Sequence, residues 1–246
     1  MAGAMARGLS SRDQTRMLFT DSGSGRAVSL AGEVGGEALS SNSELEASAD
    51  LLVLGVKPTA LDLVADEIGD TRKPVLSLLG GTSIDVVATR FPGAPVFRVM
   101  PNLPVEVRKG VLVFASDSNS DRAEAIRDLL SHLGRVVELP DSDFDAATAV
   151  MGCSPAYLAL AVEAIADAGT EAGMDRELSL SMVVEAAAGT AELLRRHEPV
   201  EVRRAVASPG GSTEAGLDAL EREGGREALE AAVRASLARM RGEDLQ

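Results

Sequence analysis

The texture of the chain changes once, at Pro140, and that change limits the fold more than any other feature. Ahead of it, short apolar runs alternate with segments of helical character. Leu51 to Val56 is continuously apolar and Pro74 to Leu79 nearly so, as expected for strands buried on both faces. Met17 to Thr20, Val96 to Met100, Val111 to Ala115 and Val136 to Leu139 read as further strands. The intervening segments read as helices. One ends near Val34 at Gly35-Gly36, and a short acidic one follows Asn42. One is capped by Thr59, one runs from Thr82 to about Arg90, and one from Asp121 to Leu133. Strands alternating with helices predict a parallel, doubly wound sheet, which binds ligands at the carboxyl ends of its strands. Those ends carry Gly, Pro, Asn or Lys here.

Beyond Pro140 no run from Asp143 to Arg241 reads as a strand. Helices are expected from Ser154-Pro155 to about Ala172, Arg176 to His197, Pro199 to Val206, Thr213 onward, and Arg226 to Met240. The chain therefore divides into residues 1–140, an α/β domain, and 141–246, an all-helical one. The helical faces are small, as in Ala161, Ala164, Ala166, Ala168 and Ala186-Ala187-Ala188-Gly189. Small side chains let helices approach closely, and a hairpin this apolar is expected to pack against a second copy, giving a homodimer or an assembly of dimers.

Between two of these helices lies Ala207-Ser208-Pro209-Gly210-Gly211-Ser212-Thr213. Pro209 has a fixed φ and no N–H, the glycines allow otherwise clashing conformations, and Ser212 and Thr213 suit a helix start. Alone, the stretch reads either as a plain interhelical turn or as an N–H-rich seat for a small carboxylate.

Composition removes several function classes. Aromatics are 2% with no Trp, which leaves no base-stacking surface for single-stranded nucleic acid. Lys plus Arg is 24 against 38 acidic residues, a net charge of −14 that repels nucleic acid and anionic membranes. An anionic substrate would need a local pocket of N–H donors. Cys153 is the only cysteine, has no metal-ligand spacing around it and reads as a small buried filler. His132 and His197 sit in charged helical contexts that favour the surface. With no signal peptide and no uncharged apolar run of 18 residues, a cytoplasmic protein without membrane partners is expected.

Four blocks together carry a specific resemblance. They are Leu54-Gly55-Val56-Lys57-Pro58, Arg98-Val99-Met100-Pro101-Asn102, Gly152-Cys153-Ser154-Pro155-Ala156-Tyr157 and Ser208-Pro209-Gly210-Gly211-Ser212-Thr213. In this order and spacing the chain resembles pyrroline-5-carboxylate reductase over nearly its whole length. The resemblance implies a Rossmann-like domain for NADPH (or NADH) followed by an all-α dimerisation domain. It also implies reduction of 1-pyrroline-5-carboxylate to L-proline, in proline biosynthesis, by hydride transfer from the nicotinamide to the ring C=N carbon. No metal is implied.

Carried over by position, Val56, Lys57 and Pro58 would line the dinucleotide with Gly55 beside them, and Asn42 would meet the adenine ribose. Gly80, Gly81, Met100, Pro101 and Asn102 would lie along the nicotinamide half. Val206, Ser208, Gly210, Gly211, Ser212 and Thr213 would hold the substrate. Backbone N–H groups of Gly211, Ser212 and Thr213 would take its carboxylate, and the Thr213 hydroxyl its ring nitrogen. Asp21 stands where an acid reads a ribose 2′-hydroxyl, whereas Ser22, Ser24 and Arg26 would suit a 2′-phosphate. Read without the resemblance, Lys57 is equally a solvated strand-end cation, Arg98 an ion-pair partner and Tyr157 a core filler with a bonded hydroxyl.

The start departs from the family pattern. Met1-Ala2-Gly3-Ala4-Met5-Ala6-Arg7-Gly8-Leu9 reads as a helix already under way. Met1 and Ala2 align with the last two positions of the family's Gly-rich turn, and the first strand and leading glycines are absent. One expectation is a true start upstream of Met1. The other is a chain that binds cofactor poorly and serves as a non-catalytic paralogue or dimerisation scaffold. A reductase of another cyclic imine is the further alternative. A β-hydroxyacid dehydrogenase is disfavoured because no lysine follows Lys109.

Overall fold

The structure, a computed structural model, describes residues 1–10, 15–116 and 121–243. Two compact units appear, Met1–Gly152 with the end of the last helix from Leu237, and Cys153–Ser236.

In the first unit the order is α1 (Ala2–Leu9), β1 (Leu18–Phe19), α2 (Arg26–Val34), β2 (Glu37–Ala38), α3 (Asn42–Ser48), β3 (Leu52–Leu54), α4 (Leu61–Ile68), β4 (Val75–Ser77), α5 (Ile84–Arg90), β5 (Val96–Pro101), β6 (Gly110–Ser116), α6 (Asp121–Ser131), β7 (Gly134–Glu138) and α7 (Phe144–Ala147). The strands form two separate sheets, β1-β2 and β3-β4-β5-β6-β7. Strand β2 has no apolar run to announce it and escapes a reading by pattern.

The division leaves an open edge on β3 and another on β1. Leu52 donates to Pro74 O (2.9 Å), and Leu54 O accepts from Leu78 (3.1 Å). In a parallel ladder the intervening Val53 therefore aims its N–H and C=O at the open edge. On β1, Met17 O and Phe19 O accept from Glu37 (2.9 Å) and Leu39 (2.8 Å), so Leu18 aims its backbone groups the other way. Among the described residues no strand bridges the two sheets. Val53 is also 45% exposed, against 1% for its paired neighbour Leu76, so β3 is not buried on both faces.

The sheet is not wholly parallel either. Strands β3, β4 and β5 are parallel, as are β6 and β7, but β5 and β6 are antiparallel, with Arg98 opposite Ala115 and Met100 opposite Val113. Only the 3₁₀ turn Leu103–Val107 separates those two strands. It is too short for a crossover, so the chain must double back.

Both sheet faces are covered. On one, Ala4, Met5 and Leu9 of α1 and Ala123, Ile126 and Leu130 of α6 pack on Leu76, Phe97, Val99, Leu112 and Phe114. Phe97 and Phe114 stack with centroids 6.1 Å apart. On the other, Leu61 and Ala65 of α4, Ile84 and Val87 of α5 and Phe144 of α7 pack on Leu52, Leu54, Val75, Val113 and Ala115. Phe144 is fully buried, which carries the first unit past Pro140 to Gly152.

Helix starts shift by a residue or more from the sequence reading. Ser41, not Asn42, caps α3 through Glu44 N–H, and Ser83, not Thr82, caps α5 through Val86 N–H. Thr82 is buried. Thr59 lies inside a 3₁₀ turn, Pro58–Ala60, ahead of α4. Asp121 is the first residue of α6 rather than its cap.

The second unit continues with α8 (Ser154–Glu171), α9 (Arg176–Leu194), α10 (Pro199–Val206), α11 (Ser212–Arg222) and α12 (Gly225–Arg241). Helices α8 and α9 pack as a hairpin in which Ser179 Oγ donates to Ala166 O at 2.8 Å. A Cβ on Gly169 would collide with that hydroxyl, so the small residues permit this contact. Tyr157 is half-buried, and its hydroxyl donates to Ala232 O (3.2 Å) and meets Ser236 Oγ (2.5 Å), a packed side chain with a bonded hydroxyl. Little else of this unit is internal, while Leu158, Leu160, Ile165, Leu178 and Met182 are each more than half exposed.

Candidate functional site

Strands β3, β4 and β5 run the same way, so their carboxyl ends share one sheet edge. Gly55, Val56, Lys57 and Pro58 leave β3 there, all exposed, and Gly80 and Gly81 follow β4, also exposed. Met100 is half-buried, and Pro101 and Asn102 are buried. A Cβ at Gly55 would stand 2.6 Å from the Ala2 Cβ, so the glycine lets the start of α1 lie against the end of β3. Ala2 thus meets Gly55, and Met1 is the residue just before α1. Lys57 is exposed with no ion-pair partner among the described residues.

Asn102 is committed elsewhere. Its Nδ2 donates to Met151 O (3.0 Å), and its Oδ1 accepts from Val111 N–H (2.9 Å). It braces the strand end and leaves little of its amide for a ligand. Asn42 is similarly engaged, its Oδ1 accepting from Thr20 Oγ1 (2.6 Å) and its Nδ2 bonding the Glu67 carboxylate.

After β1, Asp21 folds its turn around itself. Its carboxylate accepts from Ala27 (2.6 Å), Gly23 (2.7 Å) and Ser24 (2.8 Å) N–H groups. The Ala27 N–H above all, with those of Gly23 and Ser24, holds the Asp21 carboxyl below its ordinary range. With three donors already on it, this side chain is a turn-former, and Ser22, Ser24 and Arg26 stand exposed around it.

In the second unit, Gly210 takes φ 73°, a left-handed value that favours glycine, and Gly211 is the N-cap of α11. Ser212 is therefore the first helical residue and Thr213 the second, one earlier than expected. The expectation that Gly211 N–H faces a ligand is corrected: it closes the turn onto Ser208 O at 2.9 Å. Gly210 N–H donates to the Glu214 carboxylate at 2.7 Å. The first backbone bond into the helix is Ala215 N–H to Gly211 O, which leaves the N–H groups of Ser212 and Thr213 unused by the helix. Val206, Ser208, Ser212 and Thr213 are all exposed, and Gly211 is half-exposed. Glu214 was missed by motif reading, although an acid at the third helix position after a Ser-Thr pair is a recognisable loop brace.

Arg98 is the most buried cation described, its side chain 4% exposed. Nη1 bonds Asp141 Oδ1 at 2.8 Å, so the ion-pair reading holds. Cys153 is half-exposed rather than buried, and His132 and His197 are exposed. Among the described residues no three His, Cys, Asp or Glu side chains gather as metal ligands. A cleft of about 370 Å³ opens between α10, α11 and α12, lined by Leu217, Leu220 and Leu229 with Arg203, Glu221, Arg226 and Glu230. Its three leucines beside charged side chains of both signs suit a seam where helices pack.

Comparison with known proteins agrees with both halves. A family model described as pyrroline-5-carboxylate reductase dimerisation matches residues 141–243, and one described as NADP oxidoreductase, coenzyme F420-dependent, matches residues 1–81. A pyrroline-5-carboxylate reductase of Synechocystis is 38% identical over 204 residues, 80% of this chain and 76% of that protein. The solved 1-pyrroline-5-carboxylate reductase of Streptococcus pyogenes superposes with a TM-score of 0.89 at 28% identity, covering 98% of this chain and 95% of that one. That of Plasmodium falciparum, solved with NADP bound, gives 0.86 at 27% identity over 97% and 92%. By sequence over most of its length, with the matching fold, the chain belongs to the pyrroline-5-carboxylate reductase family.

Proposed function

We infer that this chain is a pyrroline-5-carboxylate reductase, making L-proline from 1-pyrroline-5-carboxylate with a reduced nicotinamide cofactor. The carrying observation is the Ser208–Thr213 loop, which presents two helix-start N–H groups and free hydroxyls to an anion that the net charge of −14 would otherwise repel.

The residues of the first unit fit a dinucleotide. Gly55 and Ala2 meet without room for a Cβ, and Gly80 and Gly81 leave β4 with no side chain to obstruct a flat ring. Lys57 and Arg26 supply positive charge on an acidic protein. A reduced nicotinamide, when bound there, supplies the hydride. On the protein's side, Ser212 and Thr213 N–H groups hold the substrate carboxylate, and the Thr213 hydroxyl hydrogen-bonds the ring nitrogen. A cyclic imine is readily protonated, so the work asked of these residues is orientation more than acid catalysis. Addition of pyrroline-5-carboxylate to the full chain with NADPH is expected to abolish the reduced-nicotinamide absorbance and yield proline. Absence of turnover, with a folded dimer, sinks the reading in favour of a scaffold, and turnover only with another ring imine moves the substrate.

The Asp21 turn supports NADPH over NADH. Its carboxylate is spent on three backbone donors and the Ser24 side chain, whereas Arg26 and Ser22 stand exposed to meet a 2′-phosphate. Arg26→Ala is expected to raise the KM for NADPH about tenfold, the worth of one charge-assisted hydrogen bond, with little change for NADH. A ratio of the two that stays at the wild-type value removes this support.

The apolar side chains that α8 and α9 leave uncovered fit a second copy, so the working form is a homodimer. Residues 141–171 are long and apolar enough by composition to span a membrane. We assign that apolar character to the dimer and place the enzyme in the cytoplasm, with neither membrane nor nucleic-acid partner.

A further inference from the structure

Within the first unit, the two sheets share no backbone ladder among the described residues. On the reductase reading, the Asp21 turn after β1 takes the adenosine end of the cofactor. Gly80 and Gly81 after β4, with Met100 of β5, take the nicotinamide end. Helix α3 is what ties the first of these regions to the second. Thr20, the residue before Asp21, donates its hydroxyl to Asn42 Oδ1 (2.6 Å). Asn42 Nδ2 bonds the Glu67 carboxylate near the end of α4, and Ser43 Oγ donates to Glu67 O (2.6 Å). One turn further along α3, Glu46 Oε1 accepts from the hydroxyl of the buried Thr71 (2.7 Å), and Glu46 O accepts from Lys73 Nζ. Thr71 and Lys73 lead into β4. Arg7 of α1 also pairs Glu33 of α2 at 2.6 Å, but both side chains are exposed and solvent weakens that tie.

Apolar contacts hold α3 as well, with Leu45 and Ala49 at the border of the core on β3 and β4. Apolar attraction is non-directional and fixes neither the rotation nor the slide of a short helix. Hydrogen bonds fix both, because they weaken steeply with distance and angle. A carboxylate only accepts, so Glu67 takes the Asn42 amide nitrogen and leaves Oδ1 turned to Thr20. Reversing that amide would set two acceptors face to face. The chain Thr20–Asn42–Glu67 therefore has one sense along its length.

We propose that Glu67 is a positioning residue for the cofactor, which through Asn42 and Thr20 sets the span between the adenosine turn and the nicotinamide strand ends. This rests on the reductase reading. A dinucleotide is a two-headed ligand, and its second head binds at an effective concentration that the span dictates. A clasp that fixes the span raises affinity for the whole cofactor and leaves the affinity of each half alone.

The test titrates wild type, Glu67→Ala, Glu67→Gln and Thr20→Val, as full chains, with three probes: NADPH, adenosine 2′,5′-bisphosphate and reduced nicotinamide mononucleotide. Melting temperature is read alongside. In Glu67→Ala and Thr20→Val the Kd for NADPH is expected to rise about tenfold, while the Kd for each half stays within about twofold. Glu67→Gln keeps an oxygen acceptor for the Asn42 amide and should stay within about threefold of wild type for NADPH. A merely structural role lowers the melting temperature without separating the whole cofactor from its halves. A loss of adenosine 2′,5′-bisphosphate affinity equal to the loss for NADPH overturns the proposal, because Glu67 then acts on the adenosine end alone. Unchanged NADPH affinity in Glu67→Ala and Thr20→Val overturns it too. Glu67 is exposed, so Glu67→Ala is expected to fold, and should it not, Thr20→Val decides by the same criterion. A wild type that binds no NADPH instead marks failure of the reductase reading itself.

Discussion

Thr213→Ala is expected to slow turnover by roughly a hundredfold while leaving NADPH affinity within about twofold of wild type. Thr213 is the second residue of α11, and its position decides what its hydroxyl can do. Thr148, Thr170 and Thr190, set deeper in helical turns, return their hydroxyls to the carbonyls of Phe144, Ala166 and Ala186. Four residues before Thr213 stands Pro209, outside the helix, so no helical carbonyl is in reach. The hydroxyl is exposed and has no partner among the described residues. As the imine accepts a hydride, its nitrogen gains the lone pair of an amine, and a hydroxyl aimed there binds the product-like state more tightly than the protonated imine. An interaction made chiefly in the transition state appears in kcat rather than in cofactor binding. A hundredfold corresponds to about 2.7 kcal/mol, within the range for one well-placed donor. Thr213→Ser keeps the hydroxyl and should stay within about fivefold of wild type. Equal losses in kcat and in cofactor affinity, by steady-state kinetics and titration, would falsify the role given to Thr213.

Gly8→Ala is expected to destabilise the protein by about 3 kcal/mol, lowering the melting temperature by roughly 10 °C. Propensity alone predicts the opposite sign, since alanine in a helix interior is favoured over glycine by about 1 kcal/mol. Packing outweighs it. A Cβ on Gly8 would overlap Val105 O and lie 2.5 Å from Leu133 Cδ2. Val105 and Leu133 are fully buried, and Val105 O already accepts from Arg108 N–H at 3.0 Å, so neither yields cheaply. The 3₁₀ turn bearing Val105 begins immediately after Asn102, so the same substitution is expected to raise the KM for cofactor. Gly3→Ala in the same helix is the control. Its nearest contact would be Arg7 Nη1 at 3.8 Å, an ordinary distance, and it should be neutral or stabilising by up to about 1 kcal/mol. Thermal melts that rank Gly8→Ala level with Gly3→Ala would remove the close-approach argument.

Much of this was legible before any coordinates. The runs at Leu52, Val75, Val96 and Val136 became strands because a buried strand needs continuous apolar sequence, and the helical half followed from the lack of any such run. The strand-end residues Gly55 to Pro58, Gly80 and Gly81 were legible too, because Gly and Pro interrupt an apolar pattern where the chain must turn. Strand β2, the antiparallel turn of β6 and the exposure of Val53 were not. Each depends on which neighbour a segment finds, and that information is spread over distant residues.

The sequence by itself determined the two-part architecture, the family and the types of group available for chemistry, since periodicity, punctuation and motif spacing are local properties. Tertiary structure decided how those groups are used. Asp21 became the anchor of its own turn, and Gly211 closed onto Ser208 instead of facing a ligand. Asn102 and Arg98 took hold of the segment leading out of the first unit. The physical reason is that a hydrogen-bonding side chain commits to whichever partner the fold brings within about 3 Å, and only the assembled chain sets those distances.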